Sequence, residues 1–395
     1  MTGIKDGSLV EGLAPGGKVL IVRTQPEFWR DIAPYFSNSL MVLIAVVMII
    51  TTNKFYLPMF FVYLISPIQN HFGKGDNKNV SIKSTKIFEK DKRFEIPLHF
   101  FVVFEICVWI WGLIIMSDDF NPKGFWFDVQ KPQTYSDYFG FVLITAFFGA
   151  LNNVVGHELI HHRETYNKIM GFLPNAKSMS AQWVDEHIKG HHKTVSTLED
   201  PATSRKNETI FAFILRSLIG ARVNVWGYES KTITKRYGED CNIIKRILYN
   251  KMLWYELSHV VIMYGVYFLF GWESLKFALC QAAMNLYLFE TINYIEHYGI
   301  LRKKDSNGVN ESIGKMHSWN YLSGAVIIRI QRHSDHHAHS FRPYQILRRM
   351  DDAPSMAFEY LHSYFLASIP PVWFYIMNPR VEALDDIKHG RKNEK

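Results

Sequence analysis

The chain has 395 residues, 48% of them hydrophobic and 21% charged, with a formal net charge of +7 and three cysteines, Cys107, Cys241 and Cys280. Three thiols far apart, with no CxxC spacing, exclude a thiolate zinc site or an iron–sulfur cluster within the chain. The modest positive balance is what basic loops give a membrane protein and does not require a nucleic-acid partner. Residues 1–30 form a polar N-terminal segment with Lys5, Asp6, Glu11 and Lys18, and without the apolar core and cleavage signal of a removable leader. Four apolar runs follow within 31–156, at 34–51, 54–67, 98–116 and 138–156, the second interrupted by Pro58. Crossing hydrocarbon takes about 20 mainly apolar residues, so these runs are expected to span a bilayer. The segment 157–251 is mostly polar, and its apolar stretch 209–221 is too short to span. An interfacial or re-entrant helix is expected there, with a buried helix as the alternative. Two more spans, 252–270 and 272–294, lie within 252–296. The remainder, 297–395, is a C-terminal region, apolar again at 364–377 but broken by Pro370 and Pro371.

Loop charge orients these spans. Lys74, Lys78, Lys83, Lys86, Lys90, Lys92 and Arg93 follow the second span and read as cytosolic. Asp118, Asp119 and Asp128 outweigh Lys123 and Lys131 after the third, which therefore faces outside, as does the link at Glu273. Six spans then leave both termini in the cytosol. The predicted fold is an all-α integral membrane protein with six transmembrane helices and a histidine-rich site on the cytosolic side.

Nine of the seventeen histidines fall in four clusters: His157 and His161; His187, His191 and His192; His297; and His333, His336 and His337. Imidazole suits iron, copper, zinc or nickel. One cation cannot use nine imidazoles, so the count points to two metals. Helical residues four apart share a face. His157 and His161 in HELIH, His187 and His191 in EHIKGHH, and His333, His336 and His337 in RHSDHH can thus each reach to one side. HELIH also has the zincin form with Glu158 as base, but a lone zinc leaves the other histidines without a role. Metal-bound imidazoles hand their second nitrogen to an acid or carbonyl, for which Glu158, Glu186, Asp200, Glu296 and Asp335 are candidates. His162, His317 and His339 are candidate neighbours of the ligands. His71, His259, His362 and His389 read as surface or core residues.

HELIHH, EHIKGHH and QRHSDHHAH resemble the three histidine boxes of the membrane di-iron superfamily of acyl desaturases, sterol oxidases and hydroxylases. TLEDPATSR, NYIEHYGILR, HSWN at 317–320 and QRHSDHHAHSFRPYQILRRMDDAP look like the membrane alkane 1-monooxygenase family, over about residues 30–385. The resemblance implies two iron ions held by His157, His161, His187, His191, His192, His297, His333, His336 and His337. It implies dioxygen as co-substrate and electrons from a rubredoxin-type donor with its NAD(P)H-dependent reductase. It also implies an apolar tunnel that admits a chain end. His162, directly after the first box, departs from the basic residue expected there.

The implied reaction is terminal hydroxylation of medium- or long-chain n-alkanes to 1-alcohols. An alkane offers no polar handle and must be held by apolar area, at about 0.8 kcal/mol per buried methylene. Phe55, Tyr56, Phe60, Phe61 and Tyr63 are tunnel candidates, with lipid-facing or packing roles as the alternative. The basic groups Arg302, Lys303, Lys304, Arg348 and Arg349 are candidates to steer an acidic donor protein, or serve simply as positive-inside charge. Fatty acyl, alkyl-aromatic or terpene hydroxylation, acyl desaturation and, remotely, histidine-rich metal transport are the rival readings. The expected location is the inner membrane in a bacterium or the endoplasmic reticulum in a eukaryote.

Overall fold

The computed structural model describes residues 25–72, 79–121, 129–321 and 328–388, together with three short strands before them, Ser8–Leu9 (β1), Leu13–Ala14 (β2) and Lys18–Arg23 (β3). Lys5, Asp6, Glu11, Lys74, Lys78, Lys123, Asp128 and His389 lie outside the described residues. β3, with the sequence KVLIVR, pairs antiparallel with β1 and β2 and parallel with Asn79–Val80 (β4). Its β-branched residues favour the extended chain. This small sheet amends the all-α expectation, and the rest is helical.

The helices in chain order are α1 (Ser37–Thr52), α2 (Leu57–Phe72), α3 (Ile82–Lys90), α4 (Glu95–Met116), α5 (Tyr135–His161), α6 (Thr165–Lys177), α7 (Trp183–Glu186) and α8 (His192–Thr194). They continue as α9 (Ile210–Tyr237), α10 (Ile243–Tyr249), α11 (Lys251–Phe270), α12 (Trp272–His297), α13 (His333–Ala338), α14 (Tyr360–Ala367) and α15 (Pro370–Lys388). Among the described residues five helical runs are long and apolar enough to cross a membrane: Phe28–Thr52, Lys92–Met116, Tyr135–His161, Ile210–Tyr237 and Lys251–His297. The last is two helices back to back, α11 and α12, parted at Gly271, whose φ of 85° suits glycine. At 16 residues, α2 is shorter than these runs.

α5 is the axis of the bundle. Thr134 Oγ1 accepts the Asp137 N–H to start it. Nearly every residue from Gly140 to Ile160 is then buried, because α4, α6 and α12 pack against it. At one crossing the backbones meet: a Cβ on Gly156 would stand 2.9 Å from the Gly171 carbonyl, and one on Gly171 would stand 2.6 Å from the Gly156 carbonyl. That close approach clamps α6 against the turn that carries His157. A buried ion pair joins α6 to α4, Lys177 Nζ donating to Glu105 Oε1 at 2.5 Å while Asn152 Nδ2 on α5 donates to Glu105 Oε2 at 2.7 Å.

α9 corrects the reading of 209–221 as a short apolar stretch. The helix runs on to Tyr237 because its buried stripe continues at four-residue steps through Val225, Glu229 and Ile233, where the composition has already turned polar. Its length is that of a span, yet its contacts do not run along one. Phe213 meets Tyr294 near the end of α12, with ring centroids 5.4 Å apart. Arg222 Nε donates to Glu256 in the second turn of α11, and Asn250, which caps α11, donates to the Trp226 carbonyl. Those parts of α11 and α12 lie at the same end of the bundle, since the two helices are antiparallel about Gly271. α9 therefore lies across the histidine end. Its opposite face exposes Phe211, Leu215, Ile219, Val223 and Trp226.

Candidate metal centre

Five elements converge at this end: the last turn of α5, the segment α7–α8, the end of α12, the loop around 317–320 and α13. They gather the nine clustered histidines into two groups. The ligand-capable nitrogens of His157, His161, His187, His192 and His336 all lie within 4.8 Å of one another. Those of His191, His297 and His337 form a second such group. His333 joins the second, its Nε2 3.1 Å from His297 Nε2 and 3.0 Å from His337 Nε2.

Local backbone decides who goes where. His157 and His161, four apart on α5, point into the first pocket together, their Nε2 atoms 3.2 Å apart. The second box behaves differently from its reading as an i, i+4 pair. Residues His187–His191 form a π-helical turn in which the His192 N–H reaches back to the His187 carbonyl. The wider i→i+5 turn brings His187 and His192 to one side, with Nε2 atoms 2.9 Å apart. His191 is thereby turned out into the second pocket. In α13, His333 and His337 serve the second pocket and His336 the first. Asn320 fixes α13 from outside: its Oδ1 accepts the Ser334 N–H at 3.0 Å and its Nδ2 donates to Ser334 Oγ at 2.7 Å.

The donor set suits cations. In the first pocket the closest Nε2 pairs are 2.9–3.2 Å apart. Two imidazole nitrogens about 2.1 Å from one ion and at right angles stand about 3 Å apart. Burial, reinforced by the neighbouring histidines, pushes His187, His192, His336 and His337 well below the ordinary imidazole range, and His333 down to about 3. They are held neutral, the form with a lone pair to give. His191 goes the other way: burial would lower it, but the Asp200, Glu186 and Glu290 carboxylates raise it overall. Its Nε2 is buried with no hydrogen-bond partner among the described residues, so a donor atom is left facing the second pocket.

The acids separate by role. Asp200 Oδ2 lies 2.9 Å from His191 Nδ1 and also accepts from Thr203 Oγ1. Glu296 Oε2 lies 3.2 Å from His333 Nε2. Glu158 Oε1 accepts the Tyr344 N–H at 3.0 Å and stands 3.5 Å from His162 Nε2. Asp335 accepts from Arg342 at 2.6 Å and from the Arg348 N–H at 2.7 Å, and meets His339 Nδ1 at 3.0 Å. It braces the loop after α13. Burial and the nearby Asp200 charge raise Glu186. His317 bonds Glu311 and the Gly314 N–H, away from the pockets. His259 accepts the Ala181 N–H within the core.

Three residues escaped the sequence reading. Trp183 stacks on His187 with centroids 4.2 Å apart, and its spacing one turn before the box was the available signal. Tyr360 donates to Glu296, and Glu290 is buried beside His191. Neither carries a motif that would mark it.

A third cluster, Glu95, His162 and Glu164, lies beside the first pocket. The Lys92 ammonium donates to both carboxylates, at 2.7 and 2.6 Å, and so fills the role a cation would take. These residues, with Glu158, His161 and Tyr344, line a polar cleft of about 310 Å³. At the other end of α5, Tyr56, Phe60 and Tyr63 line an apolar cleft of about 540 Å³ with Phe139 and Leu143. Phe55 is buried against Phe141 instead.

A fatty acid desaturase family model matches residues 136–366, which takes in every one of these histidines. The chain is similar to alkane 1-monooxygenase 2 of Alcanivorax borkumensis, 36% identical over 58% of the chain and 59% of that protein. It is as similar to alkane 1-monooxygenase 1 of Pseudomonas aeruginosa, 36% identical over 60% of the chain and 61% of the relative. The hydroxylase component of a xylene/toluene monooxygenase from Pseudomonas putida is 25% identical over 58% of the chain and 61% of its own length. The chain thus spans about three fifths of the curated relatives it matches.

Proposed function

Because this chain belongs to the fatty acid desaturase family, we propose that it is an alkane 1-monooxygenase of the membrane, converting medium- or long-chain n-alkanes to 1-alcohols with dioxygen. The observation that carries this is the division of nine clustered imidazoles, buried or half-buried, into two adjacent pockets. His157, His161, His187, His192 and His336 would hold one iron, and His191, His297, His333 and His337 the other. Bound there, two irons supply the redox chemistry that activates dioxygen against a C–H bond. In the overall balance one oxygen atom enters the alcohol and the other leaves as water, consuming two electrons and two protons.

The chain's own part is positioning. Trp183 and the buried walls of α5 and α12 hold the imidazoles of the first pocket in place. Asp200 fixes the tautomer of His191 so that Nε2 carries the lone pair. The terminal C–H bond is harder to break than its neighbours, so terminal attack requires the methyl to be placed, not merely bound. We further assign the site and both termini to the cytosolic face, with six spans. The electrons would come from a rubredoxin-type protein and its reductase, since the chain's three cysteines are too dispersed to hold such a centre.

The test is aerobic turnover in isolated membranes with rubredoxin, its reductase, NADH and an alkane series under ¹⁸O₂. Labelled 1-alcohols that vanish in His336→Ala support the reading. Intact alkanes at full iron loading reject it. The similarity to the xylene/toluene enzyme favours one second reading, alkyl-aromatic hydroxylation. Labelled benzylic alcohols from a parallel alkylbenzene series, in place of labelled 1-alkanols, would select it.

A further inference from the structure

Glu296 immediately precedes His297 at the end of α12 and is only 1% exposed. Its two carboxylate oxygens have different surroundings. Oε1 accepts the Tyr360 O–H at 2.5 Å. Oε2 stands 3.2 Å from His333 Nε2. That same nitrogen lies 3.1 Å from His297 Nε2 and 3.0 Å from His337 Nε2. Three electron-rich atoms therefore crowd one ring nitrogen at nearly equal distances.

A neutral imidazole carries a single N–H, which can serve one acceptor. If His333 Nε2 holds the proton, two of its three contacts still lack a hydrogen of its own. If it does not, its lone pair faces Glu296 Oε2 and two further ring nitrogens, and a proton on the carboxyl would relieve only the first of these contacts. Either arrangement is costly where water is excluded. A cation between these atoms converts the opposition to attraction. The separations are those of neighbouring donors about one ion, about 3 Å for bonds of about 2.1 Å.

We propose that Glu296 is itself a donor to the second metal, through Oε2, in addition to His191, His297, His333 and His337. The assignment rests on the paired-metal reading above and deepens it. Each pocket then has five protein donors, but they are not alike: five imidazoles in the first, four imidazoles and a carboxylate in the second. An anionic oxygen ligand favours the harder, more oxidised ion, so the two irons differ in character. Tyr360, buried on α14, pins the other oxygen and fixes which one faces the pocket.

The experiment uses the full chain in detergent, loaded anaerobically with ⁵⁷Fe(II) and read by metal analysis and Mössbauer spectroscopy. The unaltered protein should bind two irons and show two ferrous quadrupole doublets. Glu296→Gln keeps the volume and the Tyr360 contact but loses the anionic donor. It should shift or lose one doublet and leave the other in place. Tyr360→Phe keeps the carboxylate and frees its second oxygen, and should move that same doublet by less. It also serves if the first variant does not fold. Two irons bound with spectra superimposable on the unaltered protein in both variants overturn the assignment alone. One iron or none in the unaltered protein overturns the paired-metal reading and this assignment with it.

Discussion

The Asp200 carboxylate stands 2.9 Å from Nδ1 of His191, while Nδ1 of His187, His192, His297, His336 and His337 is buried without a hydrogen-bond partner among the described residues. One pocket thus has a carboxylate setting the tautomer of a proposed metal ligand. Asp200→Asn preserves the shape and removes the charge. Losing such a partner typically costs about 10–100-fold in metal affinity. Anaerobic iron titration should show one weakened equivalent, with the five-histidine pocket unaffected. Equal weakening of both would assign Asp200 to the fold as a whole.

Lys177 and Glu105 are both nearly fully buried and joined at 2.5 Å. Removing one partner of such a pair strands the other charge, at a cost of about 3–5 kcal/mol. Lys177→Met should therefore lower the unfolding midpoint in detergent substantially. Lys177→Met combined with Glu105→Leu should recover much of the loss. A single variant as stable as the unaltered chain would show the pair contributes nothing to the fold.

Asp118, just past α4, accepts the Trp272 N–H at 2.8 Å and the Glu273 N–H at 3.3 Å, capping α12 from another part of the chain. Asp118→Ala removes the cap and should cost about 1 kcal/mol. Gly271→Ala should cost more. Its φ is 85°, and the added Cβ would fall 2.1 Å from Asp118 Oδ2. Thermal unfolding of the two variants side by side checks the order.

If basic groups steer an acidic donor protein, its second-order rate of reducing the site should fall as salt is raised, since screening sets in over about 8 Å at physiological ionic strength. Lys304 is exposed and its ammonium stands 3.5 Å from Glu199, so Lys304→Glu should slow the encounter. Arg302 is a poorer probe because it bonds the Lys193 and Glu311 carbonyls. A rate indifferent to salt removes the steering idea.

The identity of the clustered histidines was legible because residue type and repetition survive any folding. Their partition was not. A single π turn at His187–His191 shifts the register by one residue, and composition gives no sign of it. α9 was cut short for a related reason. Its apolar average falls after Ala221, but the four-residue periodicity of its buried face does not. Tyr360 was invisible because it reaches the site through a tertiary contact, and Glu290 because only folding brings its charge near His191. The Asn320 clasp on Ser334 joins residues that the sequence shows only as neighbouring motifs.

α9 lies across the histidine end of the bundle with a row of apolar side chains turned outward, a face that lipid would cover in the proposed membrane setting. Its inner face touches the segment that carries the second box, through Lys189 and Glu229 at 2.9 Å. In that setting one wall of the histidine site would be braced by the solvent of the membrane itself. The choice of detergent or lipid in a preparation is then a structural variable, and poor metal retention after extraction can be a property of the surroundings before it is one of the protein.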